Sequence, residues 1–403
     1  MSPAVAHPQR LIVLLAALVA FGPLSIDMYL PSLPLIAADL GAPQAQIQLT
    51  ISVFLAGLCT GMLIYGPLSD RFGRRRLLLG GVVLYLVASL GCILAARAEH
   101  LVFWRILQAL GGASASVLAR TIVRDLFPLE DAARVLSLMH LVTMVATLVA
   151  PLLGSYLILL AGWRAIFVAL LTFASLCLLA SVWKIPETHP AHARGTSLAS
   201  AFRAYGHIAQ QPQALGYILC AGLSFGGMFA FFTASPFVYI AYFQVSPQHY
   251  AQLFAMNVGG IMTLTLLNAR LVRRLGPPRM LQLGASIAAL AGLSLAILGA
   301  SGSGGLGAIV VCILGYVSVT GLIGANSVAS LLARFPKQAG AAAGLAMAAP
   351  FGLGTACSAL VSALHDGSPL PMCLVIGATG IGCLLALQLT RLPERSAQPD
   401  TAQ

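Results

Sequence analysis

The sequence predicts an all-α polytopic membrane protein, with twelve transmembrane helices arranged as two six-helix bundles. Three observations predict this fold: a very apolar composition, twelve apolar runs of membrane-spanning length, and one long polar interruption near the middle of the chain. Of the 403 residues, 59% are hydrophobic and 8% are charged. The mean hydropathy of +0.92 lies far above the range of soluble domains.

The twelve apolar runs approach or exceed the roughly 20 residues that a helix needs to cross a bilayer. They cover residues 11–33, 47–67, 77–96, 101–123, 134–160, 163–184, 213–237, 247–268, 279–300, 304–332, 340–364 and 369–391. The first run continues from Leu11 to Leu33 without a cleavage site. It is therefore expected to be helix 1 rather than a signal peptide.

The net charge of +11 would suggest nucleic acid in a soluble protein. Here it has a topological explanation, so no nucleic-acid partner is expected. If both termini face the cytoplasm, most of the 22 Lys and Arg residues fall on the cytoplasmic side, as the positive-inside rule requires. Arg97 and Arg164 fall on the outer side.

The longest polar interruption, about 188–212, has six apolar runs before it and six after it. We therefore expect an N-terminal bundle over 1–187, a cytoplasmic linker over 188–212 and a C-terminal bundle over 213–403. The two halves show a faint repeat. A shift of 203 residues places Leu68 on Leu271, Arg71 on Arg274, Gly73 on Gly276 and Arg76 on Arg279.

Such a same-orientation repeat of six helices predicts bundles related by a pseudo-two-fold axis along the membrane normal. The two copies differ at one informative position, because Asp70 aligns with Arg273. The second copy therefore lacks the acid of the first.

Neither a metal nor a cofactor is expected. The eight cysteines lie in apolar runs without a CxxC pair, and the histidines form no HExxH motif. The sequence also contains no GxSxG elbow and no Walker A lysine motif. An enzyme or an ATP-driven pump is therefore disfavoured.

The segment Gly66 to Arg76 resembles motif A of the major facilitator superfamily, G-x-L-x-D-R-x-G-R-[RK]. Residues 101–113, with Arg105 and Gly111, resemble motif B on helix 4. The sequences at 25–31, 123–127, 151–154, 163–167 and 235–238 are similar to the Bcr/CflA branch of drug:proton antiporters. One departure concerns the antiporter motif C, since Met139 to Ala150 contains no glycine. The direction of transport therefore rests partly on membership of the branch.

This resemblance implies a secondary active multidrug efflux transporter of the major facilitator fold. It would export amphipathic drugs of bicyclomycin, sulfonamide or phenicol type in exchange for protons, by alternating access. The expected location is the bacterial inner membrane, the expected partners are drug, protons and lipid bilayer, and a monomer is expected. The alternative is a superfamily transporter of a native metabolite such as a sugar or amino acid.

Two charged residues inside the runs are candidates for proton coupling. Asp27 lies in run 1, and an acid at such a depth is costly and usually faces a cavity. A low dielectric favours its neutral form, which suits a group that binds and releases a proton. Alternatively, Asp27 lies near the outer face and only caps the segment before Pro31 and Pro34.

Arg105 is the second candidate, because the resemblance implies proton coupling at the motif B arginine. A permanently charged guanidinium within helix 4 needs a partner or water. The alternative is that Arg105 snorkels to the outer face.

The motif A segment predicts an ion network across helices 2, 3 and 4. The candidate gate residues are Gly66, Asp70, Arg71, Gly73, Arg74 and Asp125. The resemblance implies that this network closes the cytoplasmic side in the outward-open state. The alternative is that the loop is only a topology signal.

Aromatic and polar residues on the helices expected to line the central cavity are candidate substrate contacts. They are Tyr29, Gln108, Phe225, Phe229, Phe232 and Tyr239. A multidrug pocket needs apolar, adaptable walls with few polar anchors. For each of these side chains, simple packing is the alternative.

Overall fold

The computed structural model describes residues 8–188, 198–303 and 305–392. Over these residues it contains twelve helices long and apolar enough to cross a membrane, as predicted. We label them α1 to α12: Gln9–Asp39, Gln44–Phe72, Arg74–Ile93, Ala98–Leu126, Glu130–Ala161, Arg164–Lys184, Pro212–Tyr242, Pro247–Leu275, Pro277–Ser301, Leu306–Arg334, Ala339–Ala363 and Leu370–Thr390. The bounds of α1 extend beyond the predicted run, to Asp39.

Helix α1 is broken near its middle. Regular helix covers Pro8–Val19 and Phe21–Asp27, a 3-10 turn covers Leu30–Ser32, and helix resumes at Leu33–Asp39. Proline at the break has no N–H to donate, so the regular ladder of hydrogen bonds cannot continue through it. Asp27 is the last residue before this break.

Helix α7 also changes its character at one end. After Pro212–Ser235 the chain continues as a π-helix over Pro236–Tyr242. Stretches of π-helix are rare and are frequently found at functional sites. This π-helix packs against the 3-10 turn of α1 and against Leu33–Asp39, the helical stretch after the break. The two irregular segments therefore lie together.

The turns that follow α2 and α8 have the same backbone geometry. Gly73 has φ +96° and ψ 149°, and Gly276 has φ +78° and ψ 155°. Side chains with a Cβ rarely adopt this region, whereas glycine does so readily. The repeat seen in the sequence therefore reproduces one specific backbone turn in each half.

Glycines bring particular helix pairs close together. A Cβ on Gly57 or Gly61 would lie 2.7 or 2.4 Å from the Cβ of Ala109 or Ala113 on α4. On α5, a Cβ on Gly154 would lie 2.1 Å from the carbonyl oxygen of Met28. Gly154 thus allows α5 to pack directly onto the break in α1.

Helices of the two predicted halves meet chiefly along α2 and α11, and along α5 and α8. At the predicted outer end, Ser52 Oγ on α2 lies 2.7 Å from Ser358 Oγ on α11. Ser358 Oγ also lies 2.6 Å from Thr233 Oγ1 on α7. Further out, Gln48 Nε2 and His365 Nδ1 are 3.4 Å apart. A line of polar contacts therefore joins α2 to α11 at this end.

The predicted linker contains a helix, Leu198–Ala209. Tyr205 on this linker helix donates a hydrogen bond to the carbonyl of Leu63 on α2, at 3.3 Å, and faces Gly344 on α11. The linker helix thus touches both α2 and α11. Linker residues 189–197 lie outside the described residues, and the division into 1–187, 188–212 and 213–403 stays a prediction.

Candidate functional site

Arg105 lies fully buried on α4, enclosed by aromatic rings. Its Cζ is 4.0 Å from the centre of the Phe54 ring and 4.5 Å from that of Tyr29. Aromatic faces attract cations, most strongly where water is excluded. This position does not agree with snorkelling to the outer face, because Arg105 has 0% exposure.

The polar partners of Arg105 form a short chain across α4 and α3. Arg105 Nη1 donates to Gln108 Oε1 at 2.7 Å, and Gln108 Nε2 donates to Ser89 Oγ at 2.9 Å. The other donors, Nε and Nη2, have no hydrogen-bond partner among the residues that the structure describes. A buried guanidinium with two free donor groups can still bind an acceptor from a ligand, water or a moved side chain.

Asp27 is also buried, with 2% exposure. Thr147 on α5 is its polar side-chain neighbour, and Tyr250 on α8 lies within electrostatic range of its carboxyl group. Among the described residues, no Lys, Arg or His forms an ion pair with it. Asp27 therefore lies at the boundary between the predicted halves, and its role in proton coupling stays a prediction.

The structure does not bring Asp27 and Arg105 into direct contact. Arg105 contacts Tyr29, Phe54 and Gln108 within the first half, while Asp27 faces α5 and α8. Tyr29, two residues along α1, forms a physical link because its ring covers the guanidinium. Its hydroxyl lies 2.9 Å from Thr50 Oγ1.

The residues predicted to line the substrate cavity are mostly packed in this conformation. Tyr29, Gln108, Phe229, Phe232 and Tyr239 are all buried. An aromatic cluster contains three of them: Phe229, Phe232 and Tyr239, together with Phe231, Tyr250 and Phe254. Phe225 is half-buried and faces Gly324. Contact of these residues with substrate stays a prediction.

Within this cluster the Tyr239 hydroxyl is buried, and no described residue forms a hydrogen bond with it. It lies on the π-helical end of α7. The neighbouring Tyr250 hydroxyl is 3.0 Å from Ser235 Oγ. An unsatisfied hydroxyl beside Tyr250, which itself lies within electrostatic range of Asp27, leaves donor capacity at the boundary between the halves.

At the opposite end, Arg74 joins the predicted gate residues into one network. It pairs with Asp70 on α2, and its Nε lies 3.2 Å from Asp125 Oδ2 on α4. Its own side chain is only 9% exposed, against 34% for Asp70 and 26% for Asp125. The three predicted residues thus connect α2, α3 and α4.

Three partners of this network were not predicted. Ser69 Oγ accepts a hydrogen bond from Arg74 Nη1. Glu187 Oε1 accepts from the backbone N–H of Arg74 at 2.9 Å, and Thr188 Oγ1 donates to Asp125 at 2.8 Å. The segment that follows α6 therefore caps the start of α3. The two segments are far apart in the sequence, so the sequence did not reveal this contact.

The other predicted gate residues form no ion pair with Arg74, Asp70 or Asp125. They are Gly66, Arg71 and Gly73. Gly73 makes the turn, and Gly66 contributes its carbonyl as acceptor for Ser69 Oγ at 2.7 Å. Arg71 is exposed and its Cζ lies 5.3 Å from the Phe72 ring centre. Their expected roles in the gate stay predictions.

Two cavities lie at opposite ends of the interface between the halves. One, of about 230 Å³, is lined by Gln48, Phe237 and His365 at the predicted outer end. The other, of about 390 Å³, lies beside Asp70, Arg120 and Tyr205 at the predicted cytoplasmic end. Among the described residues, no three His, Cys, Asp or Glu side chains cluster as metal ligands.

Comparison with known proteins agrees with this geometry. The family model of the Major Facilitator Superfamily matches residues 14–359. A "Bicyclomycin resistance protein homolog" of Haemophilus influenzae is 33% identical over 365 residues, covering 90% of this chain and 92% of the relative. A "Chloramphenicol resistance protein" of Pseudomonas aeruginosa is 32% identical, covering 65% of this chain and 62% of the relative.

A solved structure with the same fold is the E. coli xylose transporter in a partially occluded inward open conformation. It is 18% identical, with a TM-score of 0.71, and the match covers 97% of this chain and 100% of that one. The chain belongs to the major facilitator superfamily and is an integral, multi-pass membrane transporter. The names of the relatives agree with the Bcr/CflA drug-resistance branch recognised from the motifs.

Proposed function

We propose that this protein exports amphipathic drugs of bicyclomycin, sulfonamide or phenicol type across the bacterial inner membrane in exchange for protons. The observation that carries this proposal is Asp27, a buried carboxyl group at the break in α1 that has no cationic partner within the described part of the chain. It lies where α1, α5 and α8 meet, between the predicted halves. A group there can be exposed to opposite sides of the membrane in turn as the bundles rock.

Coupling requires that Asp27 binds a proton on one side of the membrane and releases it on the other. In one state Asp27 takes a proton from outside, and in the other it releases that proton to the cytoplasm. A membrane potential contributes about 2.3 kcal/mol per charge for each 100 mV. Inward movement of one proton would therefore drive outward movement of a neutral drug through both the potential and the pH gradient.

Arg105 supplies a fixed positive charge to this cycle. Its guanidinium does not lose its proton at physiological pH, and its two free donor groups are available to an acceptor. The ring of Tyr29 covers Arg105, and Tyr29 is only two residues from Asp27. Movement at the break in α1 would thus change the surroundings of both charges together.

The orientation follows from the distribution of charge. The turn at Gly66 to Arg76 faces the cytoplasm, as do both termini, and the linker over 188–212 lies on the same side. The protein acts as a monomer in the lipid bilayer. The bundles over 1–187 and 213–403 move relative to each other, and the network at Arg74 holds the cytoplasmic side closed in the outward-open state.

The test compares Asp27→Asn with the wild type in a host that lacks its own drug pumps. The asparagine keeps the shape of the side chain but cannot exchange a proton, so resistance to every exported compound is expected to fall to the level of the empty host. Drug susceptibility across bicyclomycin, sulfonamides and chloramphenicol is the measurement. Cellular drug retention should also rise with an uncoupler in cells that carry the wild type.

The matched control is Asp39→Asn. Asp39 is an exposed carboxylate at the outer end of the same helix and pairs with Arg164 at 2.9 Å. This variant should keep its resistance. Equal resistance in wild type and Asp27→Asn, at equal amounts of protein in the membrane, would disprove the assignment of Asp27.

A further inference from the structure

The cavity at the cytoplasmic end lies between the two halves. Its walls come from α2, the start of α3, α4, the linker helix and α11, and its volume is about 390 Å³. The hydroxyl of Tyr205 on the linker helix donates to the carbonyl of Leu63, beside this space. A compound that enters the transporter from the cytoplasm between the bundles would meet these walls first.

Three arginines and one aspartate line this cavity. Arg74 is already neutralised by Asp70 and Asp125. In contrast, Arg120 and Arg124 form no ion pair with a carboxylate of the described residues. Three arginines against the carboxylates of Asp70 and Asp125 leave a net charge of +1 at the cavity, and Arg120 and Arg124 are the guanidinium groups without a carboxylate partner among the described residues.

Arg120 and Arg124 lie one helical turn apart on α4, where like charges repel each other. Arg120 is partly buried and its Nη1 donates to the carbonyl and hydroxyl of Ser116, at 3.2 and 2.7 Å. Neither of these acceptors carries a charge. An anionic group between the two guanidinium groups would remove the repulsion and receive charge-assisted hydrogen bonds.

The rest of the lining is largely apolar. Met62 and Pro67 come from α2, Val117 comes from α4, and Met347 comes from α11. Methionine side chains adapt to ligands of different shape. The cavity thus combines an apolar wall with a cationic edge, which is the complement of an amphipathic anion.

We propose that this cavity is an entry site selective for amphipathic organic anions and neutral amphiphiles, with Arg120 and Arg124 binding the anionic group. The inference rests on the proposed export function and names the charge class of its substrates. Lipophilic cations are excluded by the same two guanidinium groups. Of the drug types named above, sulfonamides can carry a negative charge and would benefit directly.

The test uses two dyes that share one ring system: 1-anilinonaphthalene-8-sulfonate, an anion, and N-phenyl-1-naphthylamine, its neutral counterpart. Uptake of each into everted membrane vesicles is followed by fluorescence after energisation. In Arg120→Gln, the ratio of anionic to neutral uptake rates should fall about tenfold, the effect of one lost charge-assisted hydrogen bond. Arg120→Lys, which keeps the charge, should restore most of that ratio.

Arg134→Gln is the matched control, because it removes one exposed arginine at the same end of the molecule, on α5 and outside the cavity. The ratio in this control should equal that of the wild type. An equal loss of both dyes in Arg120→Gln would overturn the inference, as would energised uptake of ethidium at the rate of the anionic dye.

Binding of the anionic dye to purified protein separates this inference from the proposed export. The protein is held in nanodiscs of phosphatidylcholine alone, so that no anionic lipid headgroup competes for the arginines. The dissociation constant should rise about tenfold in Arg120→Gln. Weakened binding without energised uptake of either dye in the wild type would support the site and refute export. Unchanged binding with intact export of the neutral dye would refute the site alone.

Discussion

Arg74 illustrates how one side chain can join three helices. Its guanidinium pairs with Asp70 and Asp125, and its backbone N–H is held by Glu187. Exposed ion pairs contribute only about 0–1 kcal/mol each. The low exposure of Arg74 and its several partners make this cluster stronger than an isolated surface pair.

Replacement of Asp70 by asparagine should therefore abolish export while leaving the protein in the membrane. Arg74 would keep its contacts with Asp125 and Glu187, so the helices stay folded. The ion pair that joins α2 to α3 would be lost. Energised drug uptake into everted vesicles measures the effect, and immunoblotting measures the amount of protein. Asp131→Asn, at an exposed acid on α5, provides the control and should transport normally. Unchanged uptake by Asp70→Asn would refute the proposal that the network at Arg74 holds the cytoplasmic side closed.

The sequence predicted Asp70, Arg74 and Asp125 because motif A and the end of helix 4 carry recognisable charges. It did not predict Ser69, Glu187 or Thr188, since only the return of α6 to the start of α3 brings the last two within reach. Thr147 and Tyr250 beside Asp27 were missed for the same reason. Each is an ordinary side chain until packing places it beside a charge.

At the scale of the helix, the break in α1 depends on its neighbour. Gly154 allows α5 to approach so closely that an added Cβ would lie 2.1 Å from the Met28 carbonyl oxygen. The break itself was not predicted, because residues 11–33 were expected to form one continuous helix, and nothing in the sequence of α1 identified α5 as the helix that packs on it. The π-helical end of α7 was likewise not predicted, because it has no distinct hydropathy pattern.

Gly154→Ala should destabilise the transporter by about 1–3 kcal/mol, the usual cost of overpacking a close contact. The methyl group must push α5 away from the Met28 carbonyl. A fluorescence-based thermal unfolding curve in detergent should show a lower midpoint, together with reduced drug export. In Gly80→Ala, where a Cβ meets nothing within 4 Å, the midpoint should not fall. Equal midpoints for Gly154→Ala and wild type would show that α5 moves at no cost.

For the whole molecule, the sequence predicted the number of helices and their order well, because each apolar run is long and is bounded by charged, polar, glycine or proline residues. The superfamily was also recognisable from motif A alone. In contrast, the polar contacts from α2 to α11 were not predicted. Serine, threonine and glutamine in an apolar helix look alike until a partner helix is placed against them.

The contact of His365 with Gln48 predicts that external pH controls the opening of the outer end. His365 lies in the loop between α11 and α12, faces Gln48 and the Phe237 ring, and has Asp366 beside it. Burial lowers the pKa of His365, an effect that outweighs the opposite effect of Asp366. The closed outer end therefore favours neutral His365. Its advantage is present above the ordinary histidine pKa of about 6.5 and declines as the pH falls through that value.

Spin labels at the exposed positions Leu49 and Leu364 should report this change. Pulsed electron paramagnetic resonance is expected to show longer distances at pH 5 than at pH 8, as protonated His365 moves into water. In His365→Gln, which keeps a hydrogen-bonding group but cannot titrate near neutral pH, the distances should not depend on pH. A pH response that persists in that variant would assign the effect to another group.

The two glycine turns have a consequence for the ancestry of the protein. Gly73 and Gly276 occupy equivalent positions in the repeat and adopt nearly the same backbone angles, although Asp70 corresponds to Arg273. An internal duplication would have given both halves the same joint. The joint then persisted in both copies while the charges around it diverged, so inherited architecture and acquired regulation can be read separately in a single chain.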